Sequence, residues 1–125
     1  MSNLREFLRK RRSKFYEGES LQQSIDAFME IVDGGAVVHE FPDAVIVLED
    51  YGLPGNVRGW LLFDKFTKGT ASAIKKVSDE FQGKAIYAST HDERIRNLLV
   101  KFGYEQYLRD EHDFYLVKLG VGYGM

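Results

Sequence analysis

Apolar positions along the chain follow two different periods. Over 4–16, Leu4, Phe7, Leu8 and Phe15 fall near helical spacing among Arg5, Arg9, Lys10, Arg11, Arg12 and Lys14. With Ser2 or Asn3 placed as the cap, a basic amphipathic helix is expected there. Over 20–32, Leu21, Ile25, Phe28, Met29 and Val32 recur at three- and four-residue steps, and Gly34-Gly35 supplies a stop, so a second helix follows. The pattern then changes. Positions 36–41 and 44–48 are runs rich in β-branched residues separated by Pro42-Asp43, which suits a tight hairpin, and a longer turn over 52–56 precedes a third run at 59–63. These runs predict an antiparallel meander.

The second half alternates. A helix is predicted over 70–81, with Ala71, Ala73, Ile74, Val77 and Phe81 facing inward, then a strand over 84–89 after the Gln82-Gly83 turn. A helix over 92–102 stops at Gly103, and two last strands over 104–109 and 113–119 flank the polar turn Asp110-Glu111-His112. Antiparallel strands that give way to a strand-helix-strand-helix unit and a terminal hairpin predict an α/β protein, a mixed α+β sheet covered by helices. No repeat or linker divides the chain. One domain over 1–125 is expected, with a helical part at 1–33, the meander at 36–66 and the alternating half and terminal hairpin at 67–120.

Composition narrows the chemistry. The chain of 125 residues is 44% hydrophobic and 14% aromatic, enough for one core, and its 17 basic and 19 acidic residues leave a formal charge of −2. With a pI near 5.9, the balance argues against a nucleic-acid or anionic-lipid partner. A solvated face is the plainer reading of the basic helix, and an acidic or phosphate-rich partner the sharper one. The chain has no cysteine, which excludes disulfides, Cys-ligated zinc, iron–sulfur clusters and a thiol nucleophile. No metal site is expected. The longest apolar runs, such as Trp60-Leu61-Leu62-Phe63, are too short to span a bilayer, and no apolar signal-peptide core opens the chain. The expectation is a soluble cytoplasmic protein.

Two segments carry a family resemblance. Phe66-Thr67-Lys68-Gly69-Thr70-Ala71, between a strand and a helix, resembles the pyrophosphate loop of the GNAT acyltransferases, in which Arg or Gln is followed by two residues, Gly, one residue, then Gly or Ala. At such a helix start, the N–H groups of Lys68, Gly69, Thr70, Ala71 and Ser72 would point towards an anion. Further on, Asp92 to Tyr104 is similar to the GNAT helix that reads Asn, x, x, Ala, x, x, Leu, Tyr, x, Lys, x, Gly, Phe, with Leu98, Lys101, Gly103 and Tyr104 at the matching positions. The order and spacing of the two segments also fit that family.

The resemblance implies a mostly antiparallel sheet with a central splayed parallel pair and helices on both faces. The strand ending at Phe63-Asp64 and the strand Ile86-Tyr87-Ala88-Ser89 would open around the pantetheine arm of acetyl-CoA, the implied co-substrate. Cofactor contacts then fall to Phe63, Asp64, Lys68, Gly69, Thr70, Ala71, Ser72 and Asp92. The implied reaction is direct transfer of acetyl to an amine whose identity is open.

The sequence departs from that pattern at three places. Phe66 stands where Arg or Gln is usual, Asp92 replaces Asn and suits a helix N-cap, and Leu99 replaces the Tyr that protonates the departing thiolate. The substitutes for catalysis are Ser89, Tyr87, Tyr104 and His91, with Glu49, Asp50 or His91 as base; the set taken forward is Glu49, Ser89, His91 and Tyr104. Plainer readings stand beside them: Tyr87 and Tyr104 as core aromatics, Glu49-Asp50 as a solvated strand end, His91 as a capping neighbour. GNAT domains place a strand before the first helix, so a helix signal starting at Leu4 suggests a trimmed substrate side. The alternative to an enzyme is a binding or structural protein on this fold with a protein partner. It is like the small GNAT-like proteins of short-tailed phages, some linked to the virion. A third reading, a single-strand nucleic-acid binder, lacks an aromatic platform that the sequence alone can place.

Overall fold

The computed structural model describes residues 21–63 and 65–120. The basic helix expected over 4–16, any strand before it, Asp64, and the side chains of Leu21, Ile25 and Phe28 lie outside the described residues. Helix α1 (Leu21–Asp33) leads into β1 (Val37–Phe41), β2 (Ala44–Asp50) and β3 (Asn56–Leu62). Then come α2 (Lys68–Glu80), β4 (Ala85–Thr90), α3 (Glu93–Lys101), β5 (Glu105–Arg109) and β6 (Phe114–Leu119). The strands form a single six-stranded sheet in the order β1-β2-β3-β4-β6-β5. All pairs are antiparallel except β3 with β4.

Two turns depart from the sequence expectation by two residues or more, each for a local reason. The meander's second turn is tighter than expected because Gly52 (φ 78°) and Gly55 (φ 88°) take up left-handed backbone. The chain therefore reverses over 51–55, and the β2–β3 ladder starts at Asp50↔Val57. Helix α2 starts at Lys68, and Gly69 lies inside its first turn. Thr67 is the N-cap, in a capping box with Thr70, and two reciprocal bonds set a helix start more firmly than a glycine does.

The core has two parts, one on each side of the sheet. Met29, Ile31 and Val32 of α1 pack on Val45, Val47 and Leu62. On the opposite face, Ala73, Ile74 and Val77 of α2 and Leu99 of α3 close over Ala44, Ile46, Leu48, Ile86 and Leu116.

The β3–β4 pair positions the site. It is bonded only at Asn56↔Ala85, Val57↔Ile86 and Arg58↔Tyr87. Beyond that point β3 stays with β2 as far as Val45↔Leu62, and β4 stays with β6 as far as Thr90↔Phe114. The sheet forks. Its closed end is tied by the Gly55 carbonyl, which accepts from Lys84 N (2.7 Å) and Ala85 N (3.3 Å), and by Gly120 N donating to Lys84 O (2.8 Å). A side chain on Gly120 would run into the Gly83 backbone, so that tie requires glycine.

Candidate functional site

The open end of the fork meets the first turn of α2. Thr67 accepts from Thr70 N through its hydroxyl (3.3 Å), Thr67 N donates to Thr70 Oγ1 (3.1 Å), and Ala71 N donates to Thr67 O (3.1 Å). Of the loop amides expected to face an anion, those of Thr70 and Ala71 are thus engaged within the helix start, and Ser72 lies a residue further in. The amides of Lys68 and Gly69 have no hydrogen bond among the described residues. A residue from the β1–β2 turn intrudes here: Thr67 Oγ1 donates to Asp43 Oδ2 (3.1 Å). Phe66 is exposed, and its ring meets Phe63 edge-on with centroids 5.4 Å apart.

On the other side of the fork, Asp92 caps α3, accepting from Arg94 N (2.8 Å) and Ile95 N (3.4 Å). Its hydrogen bond from the Arg94 guanidinium, together with those backbone donors, holds the carboxyl below the usual range. His91 is exposed between β4 and α3. It shares a shallow depression of about 210 Å³ with Glu93, Arg109, Asp110, His112 and Asp113. Asp110 there accepts from Tyr115 OH (2.7 Å), Asp113 N (2.7 Å) and His112 N (2.8 Å). The phenol bond leads in drawing the Asp110 carboxyl down to about 2 and in pushing the Tyr115 phenol up to about 12. A roomier groove, about 310 Å³, lies at the C-terminal end of α2 beside Phe81 and Gln82, away from this chemistry. Among the described residues, no group of three or more His, Asp or Glu side chains is arranged to hold a metal ion.

The face of the fork shared with α1 collects the remaining candidates. Register places Glu49 opposite Arg58, Arg58 beside Tyr87, and Ser89 opposite Tyr115. Residues in register share a face. Half-buried Glu49 accepts from Trp60 Nε1 (2.6 Å), and the Arg58 guanidinium lies 4.1 Å from the Trp60 ring. Four tyrosines continue the wall. Tyr51 and Tyr87 have centroids 5.2 Å apart, Tyr87 and Tyr107 6.2 Å, and Tyr107 and Tyr115 6.5 Å. Glu49 on β2 and exposed Ser89 on β4, two residues beyond the last bonded β3–β4 pair, flank the opening from its two sides without touching. Arg58, Trp60, Tyr51, Tyr107 and Tyr115 were not candidates from sequence. Period-2 alternation could have put Arg58 and Trp60 on one face, but only the strand order brings the tyrosines together.

Tyr104 lies elsewhere. It is 6% exposed, its hydroxyl is 2.8 Å from Ser78 Oγ, and burial pushes its phenol up. Leu99 is equally buried in the same cluster.

A parallel pair that opens after three bonded positions, above a helix N-terminus and in a mixed six-stranded sheet, defines the GNAT acyltransferase fold. The solved structures it resembles bear this out. A chimeric spermidine N-acetyltransferase built from Vibrio cholerae SpeG and hSSAT superposes with a TM-score of 0.65 at 14% identity, over 94% of this chain and 89% of that one. Campylobacter jejuni N-acetyltransferase PseH gives 0.60 at 14% identity, over 95% and 91%. FdhC, described as a nucleotide-linked sugar GNAT, gives 0.62 at 15% identity, over 94% and 82%. At these identities the likeness is one of fold. No protein-family model and no curated protein matches the sequence.

Proposed function

We propose that this chain binds acetyl-CoA in the fork and transfers the acetyl group to an amine. The observation that carries the reading is the parallel pair that stops at Arg58↔Tyr87 and opens towards the first turn of α2. The edges of β3 and β4 diverge there, so an extended pantetheine arm can pair with strand backbone as an added strand does. The amides of Lys68 and Gly69 fit a diphosphate at the helix start, with Phe63 and Phe66 beside it and Asp92 holding the wall formed by α3.

Bound acetyl-CoA supplies an activated thioester; the chain supplies position and proton transfer. The acceptor enters from the face shared with α1. There Glu49, oriented by the Trp60 indole and facing Arg58, takes the proton from the attacking amine through a water. As the C–N bond forms and the C–S bond breaks, the departing thiolate takes a proton from Ser89, from His91 or from solvent. Tyr104 is left out of this scheme because its hydroxyl is engaged at Ser78 inside the core.

Calorimetry with acetyl-CoA and CoA, followed by an acetyl-transfer assay over a panel of amines, tests the reading. Saturable donor binding is expected, together with turnover that falls on the order of 10²-fold in Glu49→Gln. Absence of donor binding overturns the proposal. One observation favours a second reading: the position matching the family's acid is Leu99, packed in the core. Donor binding without transfer to any amine would identify a protein that keeps the fold for a binding or structural role.

A further inference from the structure

Asp43 belongs to the two-residue connection of the β1–β2 hairpin, closed by the Phe41↔Ala44 pair. Its Oδ2 accepts from Thr67 Oγ1, and that same oxygen occupies the space a Cβ on Gly69 would need. The first turn of α2 therefore already faces an anion, supplied by the chain itself. Gly69 does not take up a left-handed conformation. A side chain there would have to displace the Asp43 carboxylate.

We infer that Asp43 competes within the chain for the anion seat of α2, and that a diphosphate docks there only as the Pro42-Asp43 tip lifts from Thr67. This rests on the donor reading above and adds to it the residue that sets donor affinity. The exclusion is steric at Gly69 and electrostatic at the amides of Lys68 and Gly69, where a carboxylate and a diphosphate repel each other over a few ångströms. The hinge is short: Pro42 is exposed and Asp43 partly so, whereas Ala44, the next residue, is fully buried and anchors β2. Phe41 on the other side of the tip packs against the core, so the displacement the inference requires is confined to Pro42 and Asp43.

The test is calorimetry on the full chain, comparing wild type, Asp43→Asn and Asp43→Ala. CoA is one probe, and pantetheine, which lacks the diphosphate, is the other. Both variants should bind CoA on the order of tenfold more tightly, as expected from removing one like charge beside the site. The gain should shrink at high ionic strength, and pantetheine affinity should stay as in wild type. CoA binding that appears only in the variants also supports the inference, since the wild-type tip then closes the seat. Unchanged or weaker CoA binding in folded variants overturns the competition and leaves the donor reading standing. Binding of CoA by none of the three proteins overturns both.

Discussion

Tyr104→Phe removes one oxygen from the middle of the core, and the structure determines what that should cost. The phenol is 2.8 Å from Ser78 Oγ, with Tyr104 at 6% and Ser78 at 3% exposure, so water cannot replace either partner. Stranding a buried hydroxyl costs about 1–3 kcal/mol. For Tyr104→Phe the lower end applies, since the Ser78 hydroxyl can turn back to a carbonyl of its own helix. Ser78→Ala should cost more, because the phenol has no such escape. Each kcal/mol is roughly 3–6 °C in melting temperature for a chain of this size. Urea unfolding of both single variants and the double variant should give a coupling energy of about 1 kcal/mol. The phenol's raised pKa adds a pH signature. The folded state holds the proton more tightly than the unfolded chain, so this contribution is complete below about pH 10 and is lost as pH rises towards the higher folded value. Tyr104→Phe should flatten that alkaline decline. Acetyl transfer should be unaffected at temperatures where the variant is folded. A Tyr104→Phe protein of wild-type stability whose turnover collapses would refute this reasoning and return Tyr104 to the chemistry.

Leu99→Tyr should destabilise rather than install an acid, by about 1–3 kcal/mol from overpacking a site that is 6% exposed; a stable variant with raised turnover would show that the pocket opens onto the fork. Asp92→Ala should cost about 1 kcal/mol through loss of the α3 cap, and chemical denaturation beside CoA titration separates that cost from any loss of donor contact. Asp110→Asn should bring the Tyr115 phenol back from about 12 towards the ordinary phenol range of about 10, readable by ultraviolet titration. Asp110 also has a depressed folded pKa, so its contribution to stability is present above about pH 4 and lost as pH falls towards about 2. An acid limb identical in wild type and Asp110→Asn would count against this account of the turn.

The elements themselves are written locally. Runs rich in β-branched residues mark β1 and β2, short apolar or aromatic runs between turn signals mark the other strands, three- and four-residue steps mark α1, α2 and α3, and Asp92 and Gly103 bracket the last helix as expected. Their order, with two weak motifs on the correct elements, was enough to point to the GNAT fold, because each signal depends on a few neighbouring residues. The Thr67–Thr70 box was also readable, but the more familiar glycine drew the helix boundary to itself. Other features could not be read that way. The fork at Arg58↔Tyr87 arises because β3 keeps β2 while β4 keeps β6, and partner choice leaves no periodic mark. Insertion of β6 between β4 and β5 is what gathers Tyr87, Tyr107 and Tyr115 with Tyr51. Tyr104 could be a core residue or an acid until packing placed Ser78 against its hydroxyl, and nothing near Thr67 in sequence announces a carboxylate that folding brings from 24 residues away. Local propensity wrote the parts; long-range packing decided which polar groups face the opening and which are used up holding the fold together.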